Sequence, residues 1–467
     1  MGAPPNCSPE QKTERMLKMT KARLDGLYWL LVGSVLFVLQ SVAIIYTSPN
    51  AGQDFKPIYY SVRCLIQHGD PYKESDVLRV YRAEGGAPLA TASARLLATV
   101  HIYPPTTFPI TLPFAMLPWG PARMLWLTLT AGGLILASLL AWDLGANYAP
   151  ALSGVLVGFL LANTVVLISL GNPSGIAISL CVVAVWCFLR ERFIPAGILS
   201  LAFSLAVKPH DAGLFWLYFL LAGGVYRKRA LQTLLATVVI SLPVVVWVWR
   251  VTPHWMQELH SNMLELLAPG GIGYPGPVAL GPMGLVNLQE VISIFRDDPR
   301  IYNPVSYLVC ALPLLAWAFV TLRSRPSPKR VCLALAAIAP LSLLPVYHHL
   351  YDTKLLLLTV PACAMLWVEG GLLGWLALLV NTVGFVLTAD WPAAYFFDFV
   401  SKLHLPSTGL FGQILTVVLR WPVPLILLVM GIFYLWVYAR SCSVHASPRG
   451  RCRRAPFSAF LPLFREG

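Results

Sequence analysis

Twelve apolar runs, separated by polar breaks, constrain this chain more than any motif in it. They cover residues 24–46, 122–142, 149–168, 174–190, 193–207, 210–225, 230–250, 304–322, 331–347, 354–369, 371–389 and 413–438. A hydrocarbon core of about 30 Å takes about 20 apolar residues per helix. Backbone inside lipid must bond to itself, so successive runs of this kind read as helices. The expected fold is all-α and polytopic, with about twelve transmembrane helices. Charged residues make up only 12% of the chain, against about 25% in soluble domains. The stretch from Pro104 to Pro118 carries five prolines. It is too short and too broken to span, and reads as a re-entrant or interfacial element.

The net charge of +13 would suggest nucleic acid in a soluble protein. Here the cations cluster between spans, where orientation and anionic headgroups account for them, and no nucleic-acid partner is expected. With Lys12, Arg15, Lys18, Lys21 and Arg23 inside, twelve spans also leave Arg190, Arg227, Lys228, Arg229, Arg323, Arg325, Lys329 and Arg330 inside. A true span at 104–118 would flip these later clusters outward. The expected organisation is a basic cytoplasmic segment 1–23, a membrane domain 24–438 and a basic cytoplasmic tail 439–467. Loops 47–121 and 251–303 then lie on the extracytoplasmic side. Residues Leu24–Tyr46 are too long for the core of a cleavable signal. The nine cysteines include no Cys-x-x-Cys pair, so neither a disulfide framework nor a zinc site is expected.

The outer loops and helix mouths collect the chemistry. GQDFKPIYYSVRCLIQHGDPY occupies residues 52–72, and His101-Ile102-Tyr103-Pro104-Pro105 follows about thirty residues later. Lys208-Pro209-His210 interrupts an apolar stretch, Leu170-Gly171-Asn172-Pro173-Ser174-Gly175 forms a turn, and Tyr347-His348-His349-Leu350-Tyr351-Asp352 joins two runs. This combination resembles glycosyltransferase family 87 of the GT-C superfamily, whose members take sugars from polyprenyl phosphates. The family pattern is an Asp-Phe, paired aromatics, a Gly-Asp-Pro-Tyr close and a Tyr-Pro-Pro motif. The resemblance implies a cell-membrane enzyme (a bacterial inner membrane in the first instance) with its site on the extracytoplasmic face. It would move a hexose, mannose first, from a polyprenyl-phosphate donor to a lipid or glycan acceptor. Inversion, with neither metal nor cofactor, is expected, and no Asp-x-Asp triplet is present.

Asp54 matches the family's catalytic acid. A carboxylate at a water–membrane boundary is partly desolvated and so acquires general-base character. The alternative is a helix N-cap. Tyr59 and Tyr60 read as the apolar face of an interfacial helix or as sugar contacts. Asp70 reads as a turn residue or the alternative base. His101 and Tyr103 are candidates for phosphate and substrate contacts beside a stiff Pro-Pro. Lys208, with His210, is the expected phosphate group, against snorkelling. His348 and His349 are candidates to orient or relay a proton, Asn172 to contact sugar, and Asp352 with Lys354 to form a local ion pair. The rivals are a transporter or flippase of lipid-linked sugar, and a polysaccharide ligase using a pyrophosphate carrier.

Overall fold

Length sorts the helices into two groups. The computed structural model describes residues 9–48, 51–89, 91–269, 271–276, 285–403 and 409–443, without the side chains of 9–18, 92, 93 and 443. In chain order it runs through α1 (Pro9–Thr47), α2 (Phe55–Ile66), α3 (Glu74–Ala83), α4 (Ala92–Thr99), α5 (Phe108–Ala115), α6 (Trp119–Gly145), α7 (Pro150–Ala162) and α8 (Val165–Leu170). Then come α9 (Ser174–Arg190), α10 (Ile194–Val207), α11 (Pro209–Ala222), α12 (Gly224–Val251), α13 (Trp255–Leu267), α14 (Leu288–Ser293), α15 (Pro299–Arg323) and α16 (Pro328–Leu341). A 3₁₀ segment, Leu350–Thr359, leads into α17 (Val360–Glu369), followed by α18 (Gly371–Thr388), α19 (Asp390–Ser401), α20 (Gly409–Arg420) and α21 (Pro422–Ser443). No strand occurs among the described residues. The protein is an all-α polytopic membrane protein.

Eight helical segments among the described residues are long and apolar enough to cross a bilayer. Four further runs fold as α9, of 17 residues, and α10, α11 and α16, of 14 each. Fourteen residues rise about 21 Å, short of a full crossing; α9 and α16 are mostly buried in the bundle, α10 and α11 only on one side. The centre also holds the segment Leu350–Glu369, 89% buried, whereas Gly224–Val251 is only 17% buried and faces outward.

Some runs depart from the sequence expectation where proline or a polar residue intervenes. Run 149–168 breaks at Asn163–Thr164, and run 331–347 leaves the helix at Leu341, after Pro340. Run 413–438 is cut at Trp421, because Pro422 has no N–H and its ring clashes with the carbonyl one turn back. The stretch 104–118 forms a 3₁₀ turn and the 8-residue α5, about 12 Å long. Residues 277–284 of the segment 251–303, and the tail beyond 443, lie outside the described residues.

Close packing of α1 on α7 depends on glycine. A Cβ at Gly154 would come within 2.1 Å of the Gly26 carbonyl oxygen, the small-residue crossing that lets membrane helices approach backbone to backbone. The segment between α1 and α6 folds as α2–α5 over an aromatic cluster. Phe55 stacks on Trp126 at 4.3 Å, and Tyr60 lies beside Trp119 and Tyr81. From the segment between α12 and α15, α13 lays Asn262 across the first, donating to the carbonyls of Tyr72 and His101.

Candidate active site

Backbone bonds place Asp54. The N–H groups of Gly52 and Asp54 donate to the carbonyls of Ser169 and Leu170, each at 2.8 Å. The chain can come this close because Gly171 ends α8 at φ +64°, and a Cβ there would meet the Gly52 Cα at 2.8 Å. Trp126 Nε1 donates to the Gly171 carbonyl and pins the same turn. Asp54 does occupy the N-cap position of α2, but its side chain makes no capping bond. Instead Oδ2 accepts from Asn172 Nδ2 at 2.8 Å. Burial pushes the Asp54 carboxyl up to about 6; the Asn172 hydrogen bond and the Lys208 charge act the other way. That is a useful value for a base working near neutrality.

Asp54 faces a cavity of about 370 Å³. Tyr103, Asn172, Lys208, His210, Tyr347, His349 and Tyr351 form its polar wall. Leu96 and Leu97 of α4, with Met263 and Leu266 of α13, form an apolar part of the wall. Lys208 sits at the junction of α10 and α11, buried rather than snorkelling. Its ammonium donates to Ser174 Oγ at 2.5 Å and to Asp352 Oδ1 at 2.6 Å, and lies 3.6 Å from Asp211 Oδ2. The Asp352–Lys354 pair expected from sequence does not form. Asp352 turns to Lys208 and to the His349 N–H, while Lys354 reaches Asp390 and the carbonyls of Asn163 and Thr388.

The two adjacent histidines part. His349 lies on the cavity wall between Tyr347, whose hydroxyl bonds its Nε2, and the stacked ring of Tyr351. His348 is wholly buried, with Nε2 3.1 Å from Asp211 Oδ1. His210, Asp211 and His348 bring ligand atoms within 4.8 Å of one another and are the residues that would hold a metal ion. The Lys208 ammonium beside Asp211 already places a positive charge there, which a divalent ion would have to face.

Besides His348, four residues expected at the site do not line the cavity. Tyr59 and Tyr60 are buried in the aromatic cluster, with the Tyr59 hydroxyl on the Leu117 carbonyl. They pack protein on protein rather than lying on a membrane surface. Asp70 accepts from the Tyr72 N–H at 2.9 Å and is a turn residue. His101 is enclosed by Tyr72, Tyr103 and Phe108 with both ring nitrogens unpartnered. Burial lowers it to about 3, which disfavours the charged form that a phosphate contact would use. Sequence reasoning missed Ser174, Asp211, Tyr347, Tyr351 and the pairing of Asp352. Their one signal was polarity inside or beside apolar runs, which demands partners in lipid.

No curated protein and no solved structure matches this chain. The model of glycosyltransferase family 87 matches residues 101–346, more than half of the 467-residue chain. That range holds Tyr103, Asn172 and Lys208; Asp54 and the two histidines lie outside it. With an all-α membrane bundle and this match together, the chain belongs to glycosyltransferase family 87 and is a membrane glycosyltransferase.

Proposed function

We propose that the enzyme transfers a hexose, mannose first among them, from a polyprenyl-phosphate sugar to a lipid or glycan acceptor, with inversion and without a metal. The observation that carries the reading is Asp54, raised to about 6, in the same cavity as Lys208, His210 and His349. Asp54 takes the proton of the acceptor hydroxyl. The acceptor oxygen attacks the anomeric carbon as the bond to phosphate oxygen breaks, and polyprenyl phosphate leaves with the electron pair. A lysine ammonium has three donors. Two of those on Lys208 are committed to Ser174 and Asp352, so the third, 3.6 Å from Asp211 Oδ2, is the one a phosphate oxygen would compete for. The apolar wall of α4 and α13 suits the first isoprene units of the lipid.

Under this reading residues 1–23 and 439–467 are cytoplasmic, and the cavity opens on the extracytoplasmic face of a cell membrane. Purified protein is tested with radiolabelled polyprenyl-phosphate sugars and a membrane lipid extract. A new labelled glycolipid, together with released polyprenyl phosphate, is expected. Label that crosses a vesicle membrane without a new product overturns the reading in favour of a transporter.

A further inference from the structure

Asp54 reaches the rest of the site through one amide. Asn172 Nδ2 lies 2.8 Å from Asp54 Oδ2 and 2.8 Å from the Tyr351 hydroxyl, with the Tyr103 hydroxyl farther off at 3.4 Å. An amide can flip, so its orientation has to be argued from its partners. Here they decide it. A lysine ammonium only donates, so Ser174 Oγ must accept from Lys208 and has its own proton left to give. Asn172 Oδ1, at 2.6 Å, takes it. The same Oδ1 also accepts the Ser174 backbone N–H at 3.0 Å. With the oxygen held from two sides, both Nδ2 protons point the other way. A flipped amide would set its oxygen against the Asp54 carboxylate and its NH₂ against two donors.

We propose that Asn172 and Ser174 are positioning residues: Ser174, oriented by Lys208, locks the Asn172 amide so that it grips one oxygen of Asp54 and leaves the other to the acceptor hydroxyl. Among the described residues the Asp54 side chain has no other hydrogen-bond partner, and Oδ1 is the oxygen left over. The bond is made to the charged form of the carboxylate, which favours an ionised, receptive base. It also gives Asn172 different employment from the sugar contact expected of it. The other groups whose charge acts on Asp54, or which feel it, are Lys208, Asp352, Tyr103, Tyr347 and Tyr351. All of them remain in the variants below.

This inference rests on Asp54 as the general base, and the experiment separates the two. The full-length protein in nanodiscs is assayed for sugar transfer across a pH series, with kcat and donor KM measured apart. A hydrogen bond to a charged group is worth about 1.5–3 kcal/mol, so Asn172→Ala should move the acid limb of the kcat profile up by about one to two pH units. Donor KM should stay near wild type. Ser174→Ala frees the amide and should move the limb the same way by less, and Ser174→Thr, which keeps the hydroxyl, should restore it. That pair carries the test if Asn172→Ala does not fold. An unmoved acid limb in both Asn172→Ala and Ser174→Ala overturns the proposal, as does a loss confined to donor KM, which is the mark of a substrate contact. An active Asp54→Asn enzyme overturns the base itself, whatever Asn172 does.

Discussion

The two ends of the helix bundle carry ionisable residues in opposite ways. At the cavity end, acids stand at helix starts: Asp54 at the N-cap of α2, and Asp211 and Asp352 in the first turns of α11 and the 3₁₀ segment. Asp211 and Asp352 are buried and Asp54 half-buried, and all three are bound to partners far away in sequence, as in Lys208 to Asp352 across 144 positions. At the other end, arginines meet the last carbonyls of helices. Arg227 donates to Leu220 at the end of α11, Arg229 to Phe188 in the last turn of α9, and Arg330 to Ser441. Both arrangements suit the helix dipole, anions at the start and cations at the finish. Their partners separate them. Arg227 is exposed, Arg330 half-buried and Arg229 buried, and each meets a backbone carbonyl, the kind of cationic helix end that biases orientation in a membrane; at the cavity end Asp211 and Asp352 share one lysine and hold charge beside the cavity.

An all-or-none labelling experiment tests the contrast first. Cysteine at Ala87→Cys should react with an impermeant thiol reagent in intact cells, and cysteine at Ser327→Cys should not; the native Cys64 is buried and stays silent. Reversed labelling would exchange the two ends. Next in size is Asp54→Asn, which should cut turnover by about 10²–10⁴-fold while donor binding persists. Asp70→Asn, in its turn, should leave turnover near wild type. Because Asp54 is raised in the fold, its contribution to stability is present at acid pH and is lost as pH rises through about 6. The Asn variant should therefore melt above wild type near neutrality and not at about pH 4.

Lys208→Gln strands two buried carboxylates, a loss of about 3–5 kcal/mol. Adding Asp352→Asn should recover part of it, Lys208→Arg should keep part of the activity, and Arg227→Gln should change stability by no more than about 0.5 kcal/mol. Equal losses at Lys208 and Arg227 would erase the distinction between the ends. The smallest effect is graded. Wild-type kcat/KM should fall about tenfold per pH unit below a midpoint near 6, and opposite-end variants should share that midpoint.

The helices were legible because lipid leaves the backbone one solution and length alone counts the candidates. Their breaks at Asn163 and Pro422 were visible as residues but outvoted by the apolar sequence around them. At the site, Asp54, Asn172, Lys208 and His349 stood out in the sequence because each is polar beside an apolar run, and all four line one cavity. What a single chain could not disclose was pairing. Lys208 takes Asp352 and Lys354 takes Asp390, because both aspartates arrive from segments that fold back across the bundle. The local Asp352–Lys354 reading failed for that reason. Tyr59, Tyr60 and His101 were misjudged in the other direction. Aromatic residues in an outer loop suggest exposure until three short helices close over them.

The segment Leu350–Glu369 supplies Tyr351 and Asp352 from the most enclosed position in the bundle, while α12 and α15 meet the surrounding lipid. Bilayer thickness therefore acts on the protein from outside in. Hydrophobic mismatch is absorbed by tilt of the peripheral helices, at fractions of a kcal/mol per ångström, before it reaches the central column. Mounted this way, the cavity is expected to change little in shape as acyl chains lengthen or shorten.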